Sequence, residues 1–572
     1  MQRVLLAAIL TCICACAMPF NLSLGGRKAF YDNSTNSWLC CVQHEQFGQD
    51  WTTKLSLDTT AHISLITIDG ESLSTDSTVT FYNIQPNKKH LLQAIDTCSG
   101  NLVQQHIAFT YLPVMQLNGL FDDEYYITSI DWVMPDSNNT QHMLAKVKHR
   151  GATTNTPDKN KRNYHIKFIN PDSTKMDRTF FGLRNDNSWI LDAGQVDLLR
   201  IRNRVANELW LDMATKPYYA DREPKALSGV RGEFIELFLN DNYRGIYSLT
   251  EAIDRKQLKL AKYDQNDSTF HGMLWKCKYP TDISLMRKDH EFDNNQDTWL
   301  GIEVKYPDPD DVMPTNYQPL AQAIRFVINS THQQFIDHVA DFFDIPVIMD
   351  YWIFINAMLA VDNGAKNIYW AVYDQTTDQK LTIAPWDLDC TVGQNWINEP
   401  PHDDAVVGPN RNLSYFNNLL VRLIENNPDS FSIKTVQRYR ELRQNLLNAD
   451  SIYSRYKNHI DYLKQCGAIQ RETQRWSGDT DISQCTLDFD AELEYIRQWL
   501  HTHLQYLDNT RFRPYVRGDV NRDGLVDIAD INYIINKILK AGDHPVWYED
   551  LSRDFIYDIS DLNQIINIMI NK

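Results

Sequence analysis

The sequence lacks three features that mark common classes of protein. It has no excess of basic residues, because 56 Lys and Arg stand against 74 Asp and Glu and leave a net charge of −18. Nucleic acids and anionic membranes select basic surfaces, so neither is expected as a partner. No segment after the first 17 residues is apolar enough to cross a bilayer. No CxxC pair of the kind that holds zinc occurs either.

The first 17 residues have the form of a secretory signal. Arg3 is followed by an apolar run, 4–16, that ends in small residues, and cleavage is expected after Ala17. We therefore expect a secreted, extracellular chain. Around Cys16 the sequence weakly resembles a lipoprotein box, so a lipid anchor at the cell surface stays open as an alternative.

Export makes disulfides admissible, because they form in oxidising compartments. Ten cysteines minus the three in the signal leave seven in the mature chain. Cys466 and Cys485 are one candidate pair within a single domain. Cys98 is a candidate partner for Cys40 or Cys41. An odd number leaves at least one thiol unpaired.

Residues 18–111 are predicted to form a small β domain. Short strands are expected at 54–57, 62–68, 78–82 and 108–111, and turn signals rich in Gly, Pro and Asn separate them. This region carries no catalytic or binding motif. A spacer or an intramolecular partner is its expected role. At 572 residues the chain has room for about three to four such domains.

An acid, an amide, a hairpin and a second acid follow one another in the second half of the chain. Asp362 precedes Asn367 by five residues. Two predicted strands, 368–373 and 380–384, come next, and Asp387 follows the second strand. Protein-kinase active sites use this order: an Asp takes the proton of the substrate hydroxyl, an Asn holds one Mg²⁺, and an Asp after the next hairpin holds the other.

The same spacing has a simpler explanation. An acidic chain contains Asp-x₄-Asn by chance, and Asp-x-Asp after a strand is often a turn or a helix cap. No His-Arg pair precedes Asp362 and no Phe-Gly pair follows Asp387. The spacing is therefore a hypothesis that other parts of the chain must support.

Four upstream residues are candidates for nucleotide binding. On the predicted strand 164–168 the apolar residues share one face, so Lys167 lies on the other. A lysine after a strand–loop–strand unit grips nucleotide phosphates in kinases, although a solvated lysine is an equal alternative. The loop has no GxGxxG, so Arg150 or Lys161 is expected to share that task. Glu251, at a strand end, is expected either to pair with Lys167 or to cap the following helix.

Several segments in the same order resemble the CotH-type spore-coat protein kinases, a family of secreted atypical kinases. The resemblance covers roughly 112–506 and implies ATP-dependent phosphorylation of Ser or Thr hydroxyls on a protein substrate. It implies that Asp362 is the base and that Asn367 and Asp387 hold Mg²⁺ or Mn²⁺, with Asp389 as a further metal ligand. Besides the stretch from Asp362 to Asp389, the segments are 150–151, 164–168, 240–251, 272–276 and 303–307.

A different module begins near residue 515 with the pattern of a calcium loop. Oxygen ligands occupy positions 1, 3, 5, 7, 9 and 12, and Gly524 at position 6 permits the sharp turn. The pattern recurs 31 residues later with Phe555 in place of the glycine, which predicts a weaker second site. Two such loop–helix units resemble a type I dockerin, which implies Ca²⁺ binding and attachment to a cohesin-bearing scaffold. The predicted ligands are Asp519, Asn521, Asp523, Leu525, Asp527 and Asp530 in the first loop, and Asp550, Ser552, Asp554, Asp558 and Asp561 in the second.

These inferences predict a secreted α+β chain with three parts. They are the small β domain at 18–111, an atypical kinase-like domain at 112–510, and a two-helix calcium-binding dockerin at 515–572. ATP, Mg²⁺ or Mn²⁺, and Ca²⁺ are the expected cofactors. The alternative is a catalytically inactive kinase fold that serves as a structural or adhesive component of a cellulosome-like complex, because ATP is scarce outside the cell. A carbohydrate-active enzyme is a third hypothesis, but no barrel of repeating β-α units is visible.

Overall fold

The computed structural model describes residues 20–57, 63–74, 77–96, 100–266, 268–394, 402, 416–540 and 544–571. Within these ranges the chain is a mixed α+β protein, as predicted, with twelve α-helices and several sheets. The predicted signal at 1–17, including Cys16, lies outside the described residues. Among the described helices, none combines the length and the apolar character that a bilayer span needs.

The strands are numbered in chain order and pair into two N-terminal sheets, one barrel and one further sheet. They are β1 Leu22–Leu24, β2 Arg27–Lys28, β3 Phe30–Asp32, β4 Ser37–Cys41, β5 Trp51–Leu57, β6 Ile63–Ile68, β7 Glu71–Leu73, β8 Thr78–Phe81, β9 His90–Asp96, β10 Leu102–Thr110, β11 Val114–Leu117, β12 Tyr126–Val133, β13 Gln141–Arg150, β14 Asn163–Ile169, β15 Ser188–Asp192, β16 Gly232–Leu239, β17 Asn242–Thr250, β18 Met273–Cys277, β19 Thr298–Trp299, β20 Ile302–Tyr306, β21 Ile368–Val372 and β22 Thr382–Pro385.

Most of the α-helices follow the barrel in the chain. They are α1 Arg202–Met213, α2 Arg255–Leu258, α3 Gln318–Asn329, α4 His332–Phe342, α5 Ile345–Ala357, α6 Asn418–Asn426, α7 Phe431–Arg443, α8 Ala449–Gln465, α9 Ala468–Trp476, α10 Phe489–Asn509, α11 Ile528–Leu539 and α12 Ile559–Ile570.

Strands β1 to β10 form two sheets, in the orders β2-β1-β5-β8 and β3-β4-β10-β9-β6-β7. A core rich in aromatic residues lies between them, in which the rings of Phe81 and Phe109 meet edge to face at 5.0 Å. The strands predicted at 54–57 and 78–82 correspond to β5 and β8. Strands β1 to β4 were not predicted, because runs of two to five residues are too short to show an alternating pattern.

Strands β11 to β17 close into a seven-stranded barrel, in the order β11-β12-β13-β14-β15-β17-β16. Alternate residues fill its interior: on β14, Tyr164, Ile166 and Phe168 are buried, whereas His165 and Lys167 point outward. The predicted alternation of this strand is confirmed. The outward face of β13 to β15 forms one wall of a cleft.

The remaining sheet has five strands in the order β19-β20-β18-β21-β22 and lies between the barrel and the helices. One face contacts the barrel, where Ile190 packs with Leu274 and Tyr369. The other face, which carries Trp275 and Trp370, packs on α5. Ten of the 13 residues of α5 are buried, as expected for a helix covered on all sides.

The apolar spacing of residues 320–359 predicts a helical region that is interrupted at Pro346, and the structure divides this region at a second place as well. Pro346 lies in the first turn of α5, where its missing N–H breaks no helical hydrogen bond. A second break comes at Thr331, which starts α4 through a capping box with Gln334. The predicted helix content is confirmed, and the break at Thr331 was missed.

The last two helices, α11 and α12, share a small core around Ile534 and Ile565. Each of them begins with a capping box formed by two aspartates three residues apart. This pair of helices and its loops lie against the rest of the chain. Phe555 stacks on His332 at the start of α4, with ring centroids 5.8 Å apart. The backbone N–H of Trp547 donates to the carbonyl of Glu425 at 3.1 Å.

The candidate disulfide between Cys466 and Cys485 is wrong, because both are free thiols. The thiol of Cys466 is buried and donates to a backbone carbonyl at the end of α8, at 3.2 Å. Cys40 and Cys41 are also free, and their candidate partner Cys98 lies outside the described residues.

The buried carboxylate of Glu472 is one of the contacts that tie α9 to the barrel. Glu472 is fully buried and accepts hydrogen bonds from Lys161 Nζ and Arg200 Nε, both at 2.7 Å. It also accepts from the backbone N–H of Ile246 on β17, at 2.8 Å. Two cations from distant parts of the chain therefore depend on one anion for their neutralisation.

We expect Glu472→Gln to destabilise the fold strongly. The change leaves Lys161 and Arg200 buried without an anion, and breaking a buried pair costs about 3–5 kcal/mol. Urea unfolding of both chains measures the difference. Glu494→Gln is the control, because that exposed side chain contacts only its helix neighbours Arg497 and Gln498 among the described residues, and its loss should change stability far less. Equal losses in the two variants would contradict this account.

Candidate functional site

Asn367 and Asp387 lie side by side at the open end of the β21–β22 hairpin. Asn367 directly precedes β21 and Asp387 follows the end of β22, and the antiparallel register pairs Ile368 with Pro385. The amide Nδ2 of Asn367 donates to Oδ2 of Asp387 at 3.3 Å. The structure thus brings together two residues that the sequence assigned to one metal site.

Both residues have a left-handed backbone, with φ of 55° at Asn367 and 59° at Asp387. Asn and Asp tolerate this region better than most residues. Such conformations persist only where the surroundings hold them, and they cluster at functional sites. The conformation of each residue directs its side chain toward the same point beside the sheet.

A buried amide clamps the two strand ends. The Nδ2 of Asn363 donates to the carbonyl of Asn367 at 3.0 Å and to that of Trp386 at 2.9 Å. The N–H of Trp386 donates in turn to the carbonyl of Asn367 at 3.0 Å. Asn363 was not predicted as a site residue. Its position between Asp362 and Asn367 was visible, but nothing in the sequence shows which carbonyls it meets.

Asp362 lies on the 3-10 turn Val361–Gly364 that follows α5, and its carboxylate pairs with Lys366 at 2.6 Å. Burial opposes the charge of Lys366, but the carboxylates of Asp362, Asp387 and Asp389 raise its pKa. The lysine therefore stays charged beside three carboxylates, and it orients the one that it bonds directly.

The carboxylates of Asp387 and Asp389 are crowded. Asp387 is open to the cleft on one side and enclosed by protein elsewhere, so burial raises its pKa, Lys276 opposes the shift and Asp192 adds to it. Burial and the neighbouring Asp387 also raise the pKa of Asp389. Asp192, at the end of β15, was not predicted, and it accepts a hydrogen bond from the Asn203 amide at 2.6 Å. A hard divalent cation would relieve this repulsion, because such ions prefer oxygen ligands.

In the part of the chain that the structure describes, no three His, Cys, Asp or Glu side chains converge as a preformed metal site. The predicted site differs from such a cluster, because an amide is one of its ligands. The oxygens of Asn367, Asp387 and Asp389 fit a cation that keeps several waters, which is the usual behaviour of Mg²⁺.

Two cations approach the same place from opposite sides of the cleft. The guanidinium of Arg150, on the barrel, lies 5.3 Å from the centre of the Trp386 ring. The ammonium of Lys276, on β18, lies 5.6 Å from the same ring. Burial lowers the pKa of Lys276 to about 8, and Asp387 opposes that shift. Arg150 was predicted as a nucleotide ligand, and Lys276 was recognised only as part of a family segment.

The predicted pair of Lys167 and Glu251 is wrong. Lys167 Nζ lies over the Tyr125 ring at 4.8 Å, while Glu251 is fully buried and bonds Arg231 at 2.6 Å. Strand β15 lies between β14, which carries Lys167, and β17, which ends just before Glu251, and sequence alone does not reveal this order. Glu251 does not cap the next helix either, because Asp254 is the N-cap of α2.

Lys161 does not line the cleft. Only 1% of it is exposed, and its Nζ donates to the carbonyl of Ile246 at 2.9 Å as well as to Glu472. Burial lowers its pKa to about 7, although Glu472 opposes that shift. Its predicted role in nucleotide binding is therefore wrong, because its donors serve the fold.

Both predicted calcium loops close with the same hydrogen bond. The N–H of Gly524 donates to Asp519 at 2.9 Å, and the N–H of Phe555 donates to Asp550 at 2.9 Å. The other carboxylate oxygen of Asp519 is buried without a hydrogen-bond partner among the described residues. An orphaned acceptor of this kind fits a cation. The other predicted ligands lie on the same loops: Asn521, Asp523, Leu525, Asp527 and Asp530 in the first, and Ser552, Asp554, Asp558 and Asp561 in the second.

Comparison with known protein families adds an independent finding. The sequence model of a family described as CotH kinase protein matches residues 147–507, which is more than half of the chain. The matched region begins near the end of β13, includes Asp362, Asn367 and Asp387, and ends within α10. No curated protein matches the chain.

We expect Asn363→Ala to lower the free energy of unfolding by about 1–3 kcal/mol, because two carbonyls in a buried turn lose their donor. Urea denaturation provides the measurement. Asn33→Ala, at an exposed loop position, is the control and should change stability by less than about 0.5 kcal/mol. A stability equal to that of the control would show that the clamp is dispensable.

Proposed function

The chain belongs to the CotH kinase protein family, and on that premise we propose that residues 112–510 transfer a phosphoryl group from ATP to Ser or Thr hydroxyls of a protein. One observation carries the proposal: the oxygen ligands Asn367 and Asp387 share a cleft with the cations Arg150 and Lys276. Phosphoryl transfer depends on positioning and on neutralising phosphate charge. Cations on both walls of the cleft, beside the oxygen ligands Asn367 and Asp387, supply both.

Each residue has a separate task in this proposal. Asn367, Asp387 and Asp389 hold Mg²⁺ or Mn²⁺, which neutralises phosphate charge when it is bound. Asp362 aligns the substrate hydroxyl and accepts its proton as the oxygen attacks. Lys366 keeps the carboxylate of Asp362 in place through their 2.6 Å contact.

Cations on both walls serve the phosphates. Arg150 lies on the barrel wall and Lys276 on the sheet wall, and Trp386 lies within reach of both. Guanidinium and ammonium groups are the usual partners of phosphate oxygens. Lys167 lies on the outward face of β14 and stays a candidate for nucleotide binding.

The tasks of Asp362 and Asp387 can be separated by substitution. We expect Asp387→Asn to weaken metal-dependent ATP binding and turnover together, because the site loses a charged metal ligand. Asp362→Asn should leave ATP binding nearly unchanged and lower turnover by a factor on the order of 10² or more, the scale of general-base catalysis. Calorimetry with ATP and Mn²⁺ measures binding, and mass spectrometry of phosphorylated protein measures turnover.

Asp429→Asn is the control for both variants, because that carboxylate is 92% exposed on a turn outside the cleft. It should bind and react like the unmodified chain. Loss of ATP binding in Asp362→Asn equal to that in Asp387→Asn would contradict the division of tasks.

A specific observation favours the second candidate function, a catalytically inactive kinase fold with a structural or adhesive role. The cavity beside Asp387 and Arg150 measures only about 30 Å³, far less than a nucleotide requires. In that case neither ATP binding nor phosphate on any protein would be detected with the unmodified chain. The same calorimetry and mass spectrometry therefore decide between the two functions.

We further propose that the chain is exported and that residues 515–572 form a Ca²⁺-binding dockerin, which attaches it to a cohesin-bearing scaffold. Repetition supports this proposal. The two loops share their closing hydrogen bond, and each is followed by a helix with an aspartate capping box. Exposed apolar residues also recur 31 positions apart, as with Ile528 at 62% and Ile559 at 69% exposure. Exposed apolar side chains in such repeated pairs are typical of a docking surface.

We expect the two calcium loops to differ in affinity by at least about tenfold, with the second weaker. Gly524 and Phe555 both have positive φ, of 97° and 63°, and the left-handed region costs a non-glycine residue roughly 1–2 kcal/mol. Calorimetry on the full chain should resolve a tight and a weak step. Asp519→Ala should remove the tight step and Asp550→Ala the weak one. Two equal, tight sites would contradict the prediction.

Attachment is tested by changing Ile528 and Ile559 together to Asp. If these side chains are buried against the cohesin, affinity should fall at least about 100-fold, because two apolar contacts are lost. The helices and Ca²⁺ binding should stay intact, which circular dichroism and calorimetry monitor. The control changes two exposed apolar residues of the barrel, Leu120 and Ile127, to Asp. Unchanged cohesin binding in the first variant would exclude these residues from recognition.

A further inference from the structure

A basic cleft lies at one end of the barrel, separate from the cavity beside Asp387. Its volume is about 660 Å³, within the usual range for small-molecule sites. It is bounded by the loop before β15, the loop before β16, and α2. None of its lining residues is acidic. The six basic residues that line it are Arg184, Lys225, Arg231, Arg255, Lys256 and Lys259.

Carboxylates outside the lining orient two of the arginines. Arg184 pairs with Asp254 at 2.8 Å and with Asp186 at 2.9 Å. Arg231 pairs with Glu251 at 2.6 Å. Asp186 and Glu251 are fully buried, so these anions stabilise the cations without facing a ligand in the cleft.

Lys256 is the third paired cation and contacts Asp186 at 2.5 Å. Among the described residues, no carboxylate lies within 4.0 Å of Lys225, Arg255 or Lys259. Six cations against the three carboxylates Asp186, Glu251 and Asp254 leave three positive charges in excess.

Two further observations indicate an absent anion. The Nε–H of Arg184 is buried and has no hydrogen-bond partner in the described part of the chain, so the guanidinium keeps an unused donor. The cleft also has an excess of positive charge, although the whole chain has a net charge of −18. Clustered like charges repel one another, and a concave wall concentrates their field on a ligand of opposite sign.

We propose that this cleft is a binding site for a compact polyanion that carries phosphate groups. Guanidinium groups match phosphate oxygens through paired N–H donors, and lysines add charge without a fixed geometry. Three excess charges suit a ligand with about the same number of negative charges. Glu251, which sequence analysis assigned to nucleotide binding, supports this second site through Arg231.

The test measures binding of inorganic tripolyphosphate to the full chain by calorimetry in EDTA, so that no metal assists. The unmodified chain should bind, with an affinity that falls as salt is added. The double variant Arg255→Gln, Lys259→Gln removes two unpaired cations and should weaken binding at least about tenfold. Asp387→Asn should bind normally. The outcome of this binding test therefore does not depend on whether the chain transfers phosphoryl groups.

The matched control is the double variant Lys288→Gln, Arg440→Gln, which removes the same charge from exposed positions outside the cleft. It should bind within about twofold of the unmodified chain. Absent binding by the unmodified chain would overturn the proposal. An unchanged affinity in the cleft variant, or an equal loss in the control, would overturn it as well.

A peptide with three adjacent phosphoserines distinguishes the source of the phosphate groups. Tighter binding of the peptide than of tripolyphosphate supports the site and identifies a phosphorylated protein as the ligand. The reverse order supports the site and identifies a free phosphate compound. Equal binding of the unphosphorylated peptide would overturn the assignment to phosphate.

Discussion

The two hydrogen bonds of the Asn363 amide hold the strand ends on which the candidate site depends. Without them, Asn367 and Trp386 would be joined only by one backbone bond at the open end of a short hairpin. The amide belongs to the same turn that carries Asp362. The positions of Asp362, Asn367 and Asp387, the base and the two metal ligands of the proposed reaction, therefore all depend on the Asn363 amide. Since α5 packs beneath this turn and the hairpin, the helical core sets the geometry of all three.

The chain uses opposite charges in two different ways. At Glu472, one carboxylate neutralises two buried cations at hydrogen-bond distance, and its complete burial keeps it out of reach of a ligand. Around Asp387 the carboxylates crowd together and Trp386 lies beside the cations Arg150 and Lys276. Charges matched within the protein stabilise the fold, whereas charges left partly unmatched suit binding of a ligand of the other sign. The basic cleft beside α2 belongs to the second kind, since its cations outnumber their carboxylates.

Residues whose proximity depends on local spacing were predicted correctly. Asn367 and Asp387 flank a hairpin, so the antiparallel register alone brings them together, and Lys167 follows from strand alternation. Lys161 was misassigned because its partner Glu472 lies on α9, whose packing on the barrel no local pattern encodes. Glu251 was misassigned although its partner Arg231 lies opposite it across the β16–β17 hairpin, where Gly232 pairs with Thr250.

The start of α4 is a different kind of miss. The sequence Thr331-His-Gln-Gln334 has the pattern of a capping box. It was overlooked because apolar residues at helical spacing continue on both sides of it. Asn363 and Lys276 could not be assigned, because an amide or a lysine acquires such a role only when three elements meet around it.

The stacking of Phe555 on His332 joins the C-terminal pair of helices to the domain that matches the CotH kinase protein family. The second of the two predicted calcium loops contacts that domain through Phe555, while Ile528 and Ile559 stay exposed. A scaffold protein that binds these exposed side chains would hold the family domain in one orientation and not on a flexible tether. The mouth of the cleft would then point in one direction from the scaffold, and only neighbours on that side would come within its reach. Phe555, which is expected to weaken the second calcium loop, would in this way also determine how the whole assembly is oriented toward its neighbours.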